Sequence, residues 1–366
     1  MATLQYDEWR SLLRDNVGEW ERQGAYPVQL HRDAGRLQKL PFGIENFRAD
    51  PAAVVTARDG ELVRFVSELA YFGSQGVAVG LGSQLISLRI LHDANRDLFS
   101  EIAPKVLLGN RILALGLTEQ HSGSNLKNVV TQGRASGDHG WTVYGGKEFV
   151  CNGARADGVL VSAVLDGGFA LFLVHAGEGC TSTELRCLGW RSLPIARMEF
   201  RGARADLVAS GATALNAVSN GLIAERLNFT AIAVASAERL LVDLVDWTSQ
   251  RLINGERLIS FSHVRQTLGE ARTQLWTVSR AFEELVSRRS ELKHDEVAMM
   301  KNASTRMIER IAADAVQMMG GHGCFEPSVA ERTFRDSRLL AIGAGTMEVM
   351  NEVVVRGFRT SGSVTP

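Results

Sequence analysis

Two glycine turns near the end of this 366-residue chain carry its strongest chemical suggestion. QMMGGHG closes an apolar, Met-rich helical run with Gly320, Gly321 and Gly323. Glycine suits a helix C-terminus because it adopts positive φ without a Cβ clash. Gly343-Ala344-Gly345-Thr346 opens the next run, and a helix start presents free N–H groups to anions and polarised oxygens. Flanking FRD, the two turns form a candidate cofactor cradle, although glycines alone are also ordinary caps of a helical hairpin. The loop LTEQHSGSN, Leu117 to Asn125, offers N–H and O–H donors to a phosphate or a heteroaromatic ring, and equally reads as a plain turn. By position alone, Glu225 is an acidic residue in the first turn of a helix that Asn220 could cap, which the macrodipole favours. Arg251 reads by itself as a solvated helix-end cation.

Three kinds of segment must position these residues. Residues 1–110 read mostly as helices; LVRFVSELAYFGSQGVAVGLGSQLISLRIL suits buried ones. Residues 111–212 hold short apolar runs punctuated by Gly, Asp and Asn, and predict a compact antiparallel β unit. Within it, WTVYGGKEFV predicts a hairpin turning at Gly145 and Gly146. Residues 213–366 return to the helix period. Val264, Leu268, Ala271, Leu275, Val278, Phe282 and Leu285 form one stripe, as in an antiparallel bundle. TSGSVTP reads as a frayed tail. The expected architecture is mainly α with a β domain between helical units.

Composition sets limits. Apolar content of 45% and charged content of 22% are those of a globular protein with substantial cores. A net charge of −1 argues against nucleic acid or an anionic membrane surface as partner. No apolar run is long enough to span a bilayer, and MATLQYDEWRSLLRDN is a charged amphipathic pattern unlike a signal peptide. Cys151, Cys180, Cys187 and Cys324 show no C-x-x-C spacing, which suits a reducing cytoplasm. No residue is assigned to a metal.

Six motifs, in order, resemble the acyl-CoA dehydrogenase family from about residue 110 to residue 358. LTEQHSGSN is similar to the family's L-T-E-P-x-x-G-S-D loop, and GGKEFVCNGARAD to its G-x-K-x-[WF]-I-T-N-[GA] segment. Gly189-Trp190-Arg191-Ser192 is similar to G-x-R-x-S, Arg251 to Gly255 to R-x-x-F-G, and the two closing blocks to its C-terminal signature. The resemblance implies an N-terminal helical domain, a middle antiparallel β domain and a C-terminal four-helix bundle. It implies FAD, held by Leu117, Thr118, Ser122, Gly123 and Ser124, with Phe149 and Cys151 beside the flavin ring and Thr346 and Glu348 nearby. Arg251, Gln317, Gly320 and Gly321 would serve the FAD of a neighbouring subunit, hence a homodimer or homotetramer. Ser124, Arg226 and Gly345 would contact the substrate, an acyl thioester of CoA or of a carrier protein's phosphopantetheine. Electrons would leave to an acceptor flavoprotein or oxygen.

Dehydrogenation needs a carboxylate for the α-proton. Most members place a Glu in Y-E-G-T, where this chain has Ala344. The isovaleryl-CoA and long-chain branches instead use a Glu on the first bundle helix, in L-E-R-L; Ala224-Glu225-Arg226-Leu227 is similar. Glu225 is therefore the expected base, and the Ala344 N–H the expected donor to the thioester oxygen. Departures are Gln120 for Pro, Asn125 for Asp, Cys151 for Thr, Asn254 for Phe, Ser262 for Gln and Ile223 for the Asp that helps hold pantetheine. KLPFGIENFRADPAAVV stands where a Pro-x-x-x-Gly-Gly loop is usual. Two alternatives are a flavin monooxygenase of the same superfamily and a non-catalytic relative.

Overall fold

A computed structural model of the protein describes residues 6–36, 59–126, 128–137, 140–288 and 292–361. KLPFGIENFRADPAAVV and most of the TSGSVTP tail lie outside them. Helices come first: α1 (Tyr6–Gln23), α2 (Gln29–Arg36), α3 (Asp59–Glu68), α4 (Gln75–Ala94) and α5 (Arg96–Leu107). Side-chain caps fix two starts. Ser74 accepts from the Val77 amide, and Asn95 from the Leu98 amide at 3.1 Å. The α4 helix is buried around most of its circumference, as its unbroken apolar and small-residue composition requires.

Strands follow: β1 (Leu113–Gly116), β2 (Gln132–Ala135), β3 (Trp141–Cys151), β4 (Gly158–Leu165), β5 (Gly168–His175), β6 (Cys180–Leu185) and β7 (Ile195–Ser210). They pair in the order β1-β4-β2-β3-β7-β5; β4 also meets β5 and β6 lies along β7. Pairing is antiparallel except β1–β4 and β2–β4. Inward residues such as Val143, Val161, Phe172 and Phe200 fill a core of their own.

The expected hairpin at Gly145 and Gly146 is not there. Both lie inside the single strand β3, opposite Phe200 and Glu199 of β7. Gly145 has φ +136°, and an added Cβ would stand 2.7 Å from the Thr131 hydroxyl. A close approach, not a chain reversal, calls for glycine here.

The last unit begins with α6 (Gly211–Gln250), 40 residues or about 60 Å long. A tight hairpin of β8 (Leu252–Ile253) and β9 (Glu256–Arg257) follows, its Asn254-Gly255 turn at φ +51° and +85°. That geometry accounts for Asn254. Then come α7 (Ser262–Ser287), α8 (His294–Met319), α9 (Val329–Leu340) and α10 (Met347–Ser361). The stripe expected on α7 faces inward: Val264, Ala271, Leu275, Phe282 and Leu285 are buried. The spine is α8, which packs on α6, α7, α9 and α10.

Candidate active site

The turn between α9 and α10 is held from several sides. Its entry is closed by Gly343 N donating to Leu339 O (2.9 Å), and its exit by Met347 N donating to Ala341 O (3.1 Å). A Cβ on Gly343 would stand 2.7 Å from the Phe229 ring, so only glycine lets the turn lie this close to α6. Ala344 has φ +55° and Gly345 +98°. A non-glycine in this left-handed region is strained and persists where its surroundings impose it. Arg226 Nε donates to Ala344 O (3.1 Å), and Lys301 Nζ donates to Gly345 O. The amides of Ala344, Gly345 and Thr346 have no hydrogen-bond acceptor among the described residues. Three such donors in a row can meet a negative or polarised oxygen.

Thr346 and Glu348 are occupied with helix capping. Thr346 Oγ1 accepts from Val349 N at 3.3 Å. The exposed Glu348 carboxyl is held below its ordinary value by its own amide and the Thr346 hydroxyl.

Glu225 is not in a first helical turn. The α6 helix starts at Gly211, and Asn220 lies within it, its Nδ2 donating to Asp93 at 3.3 Å rather than capping. The macrodipole falls off within one turn, so it cannot govern this carboxyl. Burial does, and it pushes the Glu225 pKa upward; the charges of Arg226 and Lys301 pull the other way. Glu225 is half-buried, so a ligand can reach it, and its carboxyl has no hydrogen bond or ion pair among the described residues. Cys151, at the end of β3, faces it. Burial and then the Glu225 charge push that thiol up to about 12.

Phe149 lies two residues before Cys151, where β3 loses register between Lys147 and Val150. Its φ is +57° and its ring is 67% exposed, a presentation regular pairing would not give. Glu148 N donates to Thr118 O (2.9 Å), which sets the LTEQHSGSN loop against this bulge. The loop is anchored by the buried pair of Lys147 Nζ and Glu119 Oε1 (2.6 Å). Glu119 also accepts from the amides of Val130 (2.8 Å) and Thr131 (3.2 Å), and Lys147 donates to Ser162 Oγ (3.0 Å). Leu117 is buried and its carbonyl accepts from Ser162 Oγ. Ser122 spends its amide on Glu119 O and its hydroxyl on Asn125 O (2.6 Å), leaving no free donor. The hydroxyls of Thr118 and Ser124 have no hydrogen-bond partner among the described residues, and Gly123 is exposed beside them. An exposed aromatic face, free hydroxyls and free amides fit a flat heteroaromatic ring with polar edges.

FRD is a structural tie. Buried Arg335 bonds Glu21 (2.7 Å) and Glu331 (2.6 Å), and Asp336 accepts from the Trp190 amide (2.6 Å). These bonds join α9 to α1 and to the Gly189–Ser192 turn.

The remaining expected residues lie elsewhere. Arg251 follows α6 by 26 positions from Glu225, about 39 Å along the helix; Gln317 is 16 positions beyond Lys301, about 24 Å. Gly320 ends α8 at φ +58°, and Gly321 follows it into the open. Next to them the His322 ring packs tilted against Trp247, with centroids 4.7 Å apart. A cavity of about 570 Å³ lies at this end, lined by Trp247, Met319, Gly321, His322 and Phe325, away from Glu225. The fold thus gathers Glu225, Arg226, Lys301, Cys151 and the Ala344–Gly345 turn, and leaves Arg251, Gln317, Gly320 and Gly321 at the far end of the bundle. Lys301 is the member that the sequence reading missed. Its signal was a lysine on the same α8 face as Val297, Ile308 and Ile311.

Two family models match the chain: "Acyl-CoA dehydrogenase, middle domain" over residues 114–203 and "Acyl-CoA dehydrogenase, C-terminal domain" over residues 215–358. The chain belongs to the acyl-CoA dehydrogenase family. It is an oxidoreductase acting on CH–CH bonds, and members of this family are FAD-dependent. It is 27% identical over 359 residues to the mitochondrial long-chain specific acyl-CoA dehydrogenase of Sus scrofa, covering 92% of this chain and 81% of that one. It is 27% identical over 378 residues to the acyl-[acyl-carrier-protein] dehydrogenase MbtN of Mycobacterium bovis, covering 98% and 95%. The solved acyl-CoA dehydrogenase from Geobacillus kaustophilus superposes with a TM-score of 0.87 at 25% identity, over 96% of each chain. No helix among the described residues is long and apolar enough to cross a membrane.

Proposed function

We propose that this member of the family carries out FAD-dependent α,β-dehydrogenation of an acyl thioester with Glu225 as base. The observation that carries the reading is a half-buried carboxyl, unpaired among the described residues and with its pKa raised by burial, whose neighbours Arg226 and Lys301 hold a turn with three amides that have no acceptor among those residues. A base poised nearer working pH than an ordinary carboxylate is what α-proton removal requires. Ala344 has only a methyl group where most members carry their base, but its N–H stays free to donate to the thioester oxygen. That donor stabilises the charge developing on oxygen as the α-proton leaves. FAD, when bound, supplies the acceptor for the β-hydride. Thr118, Gly123, Ser124, Phe149 and Cys151 would hold it in one subunit, and Arg251, Gln317, Gly320 and Gly321 would reach the FAD of a neighbour in a homodimer or homotetramer.

Arg226, Gly345 and Ser124 would border the thioester. Ile223 offers no carboxylate to pantetheine, and one relative bears an acyl-carrier-protein name over nearly its whole length. We therefore infer a carrier-bound acyl group as substrate, with an acceptor flavoprotein or oxygen taking the electrons. A monooxygenase on this fold needs no thioester base, so the unpaired Glu225 favours dehydrogenation.

The test is anaerobic bleaching of the flavin by acyl thioesters of CoA and of a carrier protein. Glu225→Gln should retain FAD and slow bleaching by a factor of about 10²–10⁴. Bleaching at the parent rate would remove Glu225 as the base.

A further inference from the structure

One charge beneath the Ala344–Gly345 turn has no part in the reaction so far. Lys301 is fully buried, on an α8 face that carries Val297, Ala298, Ile308 and Ile311 together with the buried hydroxyls of Ser304 and Thr305. An ammonium in such a place is unfavourable unless its donors are used. Its Nζ donates to the Gly345 carbonyl, and that is its one hydrogen-bond acceptor among the described residues, although an ammonium has three donors. Next to it, Asn302 Nδ2 donates to Met347 O (3.1 Å) and Asn351 Oδ1 (2.9 Å), which fixes the start of α10. With Arg226 on the Ala344 carbonyl, two cations take consecutive carbonyls of one turn. In a trans peptide C=O and N–H point to opposite sides, so carbonyls held by these cations turn the Gly345 and Thr346 amides away from them. A bonded carbonyl also polarises the N–H of its own peptide.

We propose that Lys301 is a positioning residue for the dehydrogenation: its ammonium fixes the turn with its amides unspent, and its charge keeps Glu225 in the ionised form that accepts a proton. This rests on the reading of Glu225 as base. Glu225 is faced by Arg226 from α6, by Lys301 from α8 and by Cys151 from β3; Lys301 is faced by Arg226, Glu225 and, from α10, Glu348. His294 and Cys187 lie one step further out, beside Arg226 and Cys151 respectively. Arg226 stays charged at all working pH, and the Cys151 thiol stays neutral. Lys301 differs: burial, and then the Arg226 charge, bring it down to about 8, so it can lose its proton while the fold persists.

Three substitutions separate the roles. Lys301→Arg keeps charge and donors, Lys301→Gln keeps a donor alone, and Lys301→Met keeps neither. On the FAD-loaded protein, the rate of anaerobic flavin reduction by an acyl thioester is followed against pH. In parallel, without substrate, the Glu225 carboxyl is titrated by infrared difference spectroscopy, its band identified by its absence in Glu225→Gln. The Gln and Met variants should raise the Glu225 midpoint by about one pH unit and lower the rate by up to about tenfold at pH values below that midpoint. Met should be slower than Gln. Lys301→Arg should keep the parent midpoint and most of the rate, and lose the alkaline fall near pH 8. An unchanged Glu225 midpoint in Lys301→Gln, or an alkaline limb that survives in Lys301→Arg, overturns the role of Lys301 alone. A parent flavin that no thioester reduces overturns the dehydrogenase reading instead, and the infrared titration still decides the electrostatic claim. Should Lys301→Met fail to fold, the Gln and Arg variants carry the test.

Discussion

A half-buried carboxylate with no partner among the described residues makes Glu225 a source of both reactivity and instability. Burial places its folded pKa above the ordinary 4.5. A carboxyl raised in this way contributes stability that is fully present below its unfolded pKa and lost as pH rises through the folded one. Glu225→Gln removes that loss. The variant should therefore melt higher than the parent at neutral pH, by on the order of 1 °C for each kcal/mol regained in a chain of this length, and the gap should close below about pH 4.5. Thermal melts at matched FAD saturation across this range measure it, and a gap that widens on acidification would contradict the environment assigned to the carboxyl. The sequence singles out Glu225 because Ala344 stands where most relatives carry their base and the A-E-R-L motif offers another carboxylate; its role as base is the proposal made above. Its surroundings were not. A helix start was read at Asn220, whereas the chain is already nine residues into α6 there. Without the β7–α6 junction at Ser210 and Gly211, nothing local to GLIAERL distinguishes a helix start from its interior.

The elements were legible where their period is strong and obscure where a distant segment decides the local form. The α7 stripe is self-contained, since every stripe residue lies on one helix. The glycines of β3 are not, because their reason is Thr131, a residue from another segment. That strand brings Lys147, Phe149 and Cys151 to one end of the sheet, and the Lys147–Glu119 pair ties the Leu117–Asn125 loop to it. Burial raises the Glu119 pKa, but the hydrogen bond from Lys147, the Val130 and Thr131 contacts and the Lys147 charge outweigh it, and the net shift is downward. A depressed carboxyl contributes stability above its unfolded pKa that disappears as pH falls through the folded one. Acidification below the ordinary 4.5 should accordingly release FAD as the loop lets go, which flavin fluorescence would follow. Lys147→Met leaves the buried Glu119 charge unmatched, at a cost of about 3–5 kcal/mol. It should melt early and lose FAD, while the pair Glu119→Gln with Lys147→Met should recover part of both. A double variant worse than Lys147→Met alone would mean that the two side chains act independently.

Across the whole molecule, the expected cofactor residues fall into two groups that one chain holds far apart. Glu225 and the Ala344 turn lie partway along the bundle; Arg251, Gln317, Gly320 and Gly321 lie at its end, about 24–39 Å away along the helices that carry them. Three-part architecture was legible from changes of period along the chain, but this separation was not, because motifs in sequence order carry no distances. It bears directly on assembly. If each FAD spans two subunits, a chain with Glu225→Gln and a chain with Arg251→Ala fail for different reasons at different sites. In a mixed dimer, one site combines the Gln with the Ala and stays dead. The other combines an intact Glu225 with the partner's intact Arg251 and works. Two inactive preparations, unfolded together and refolded, should then regain about a quarter of the parent activity, because random pairing makes half the dimers mixed and each has one good site. Titrating the ratio of the two chains should give a maximum at equal amounts. If Glu225 and Arg251 served the same FAD from one chain, every site would carry one defect and no mixture would recover activity. Flat, unrecovered activity across the ratios, with refolded single-chain parent active, would remove the sharing of each FAD between subunits, whereas an Arg251→Ala chain that is active by itself would place the Arg251 cluster outside the reaction.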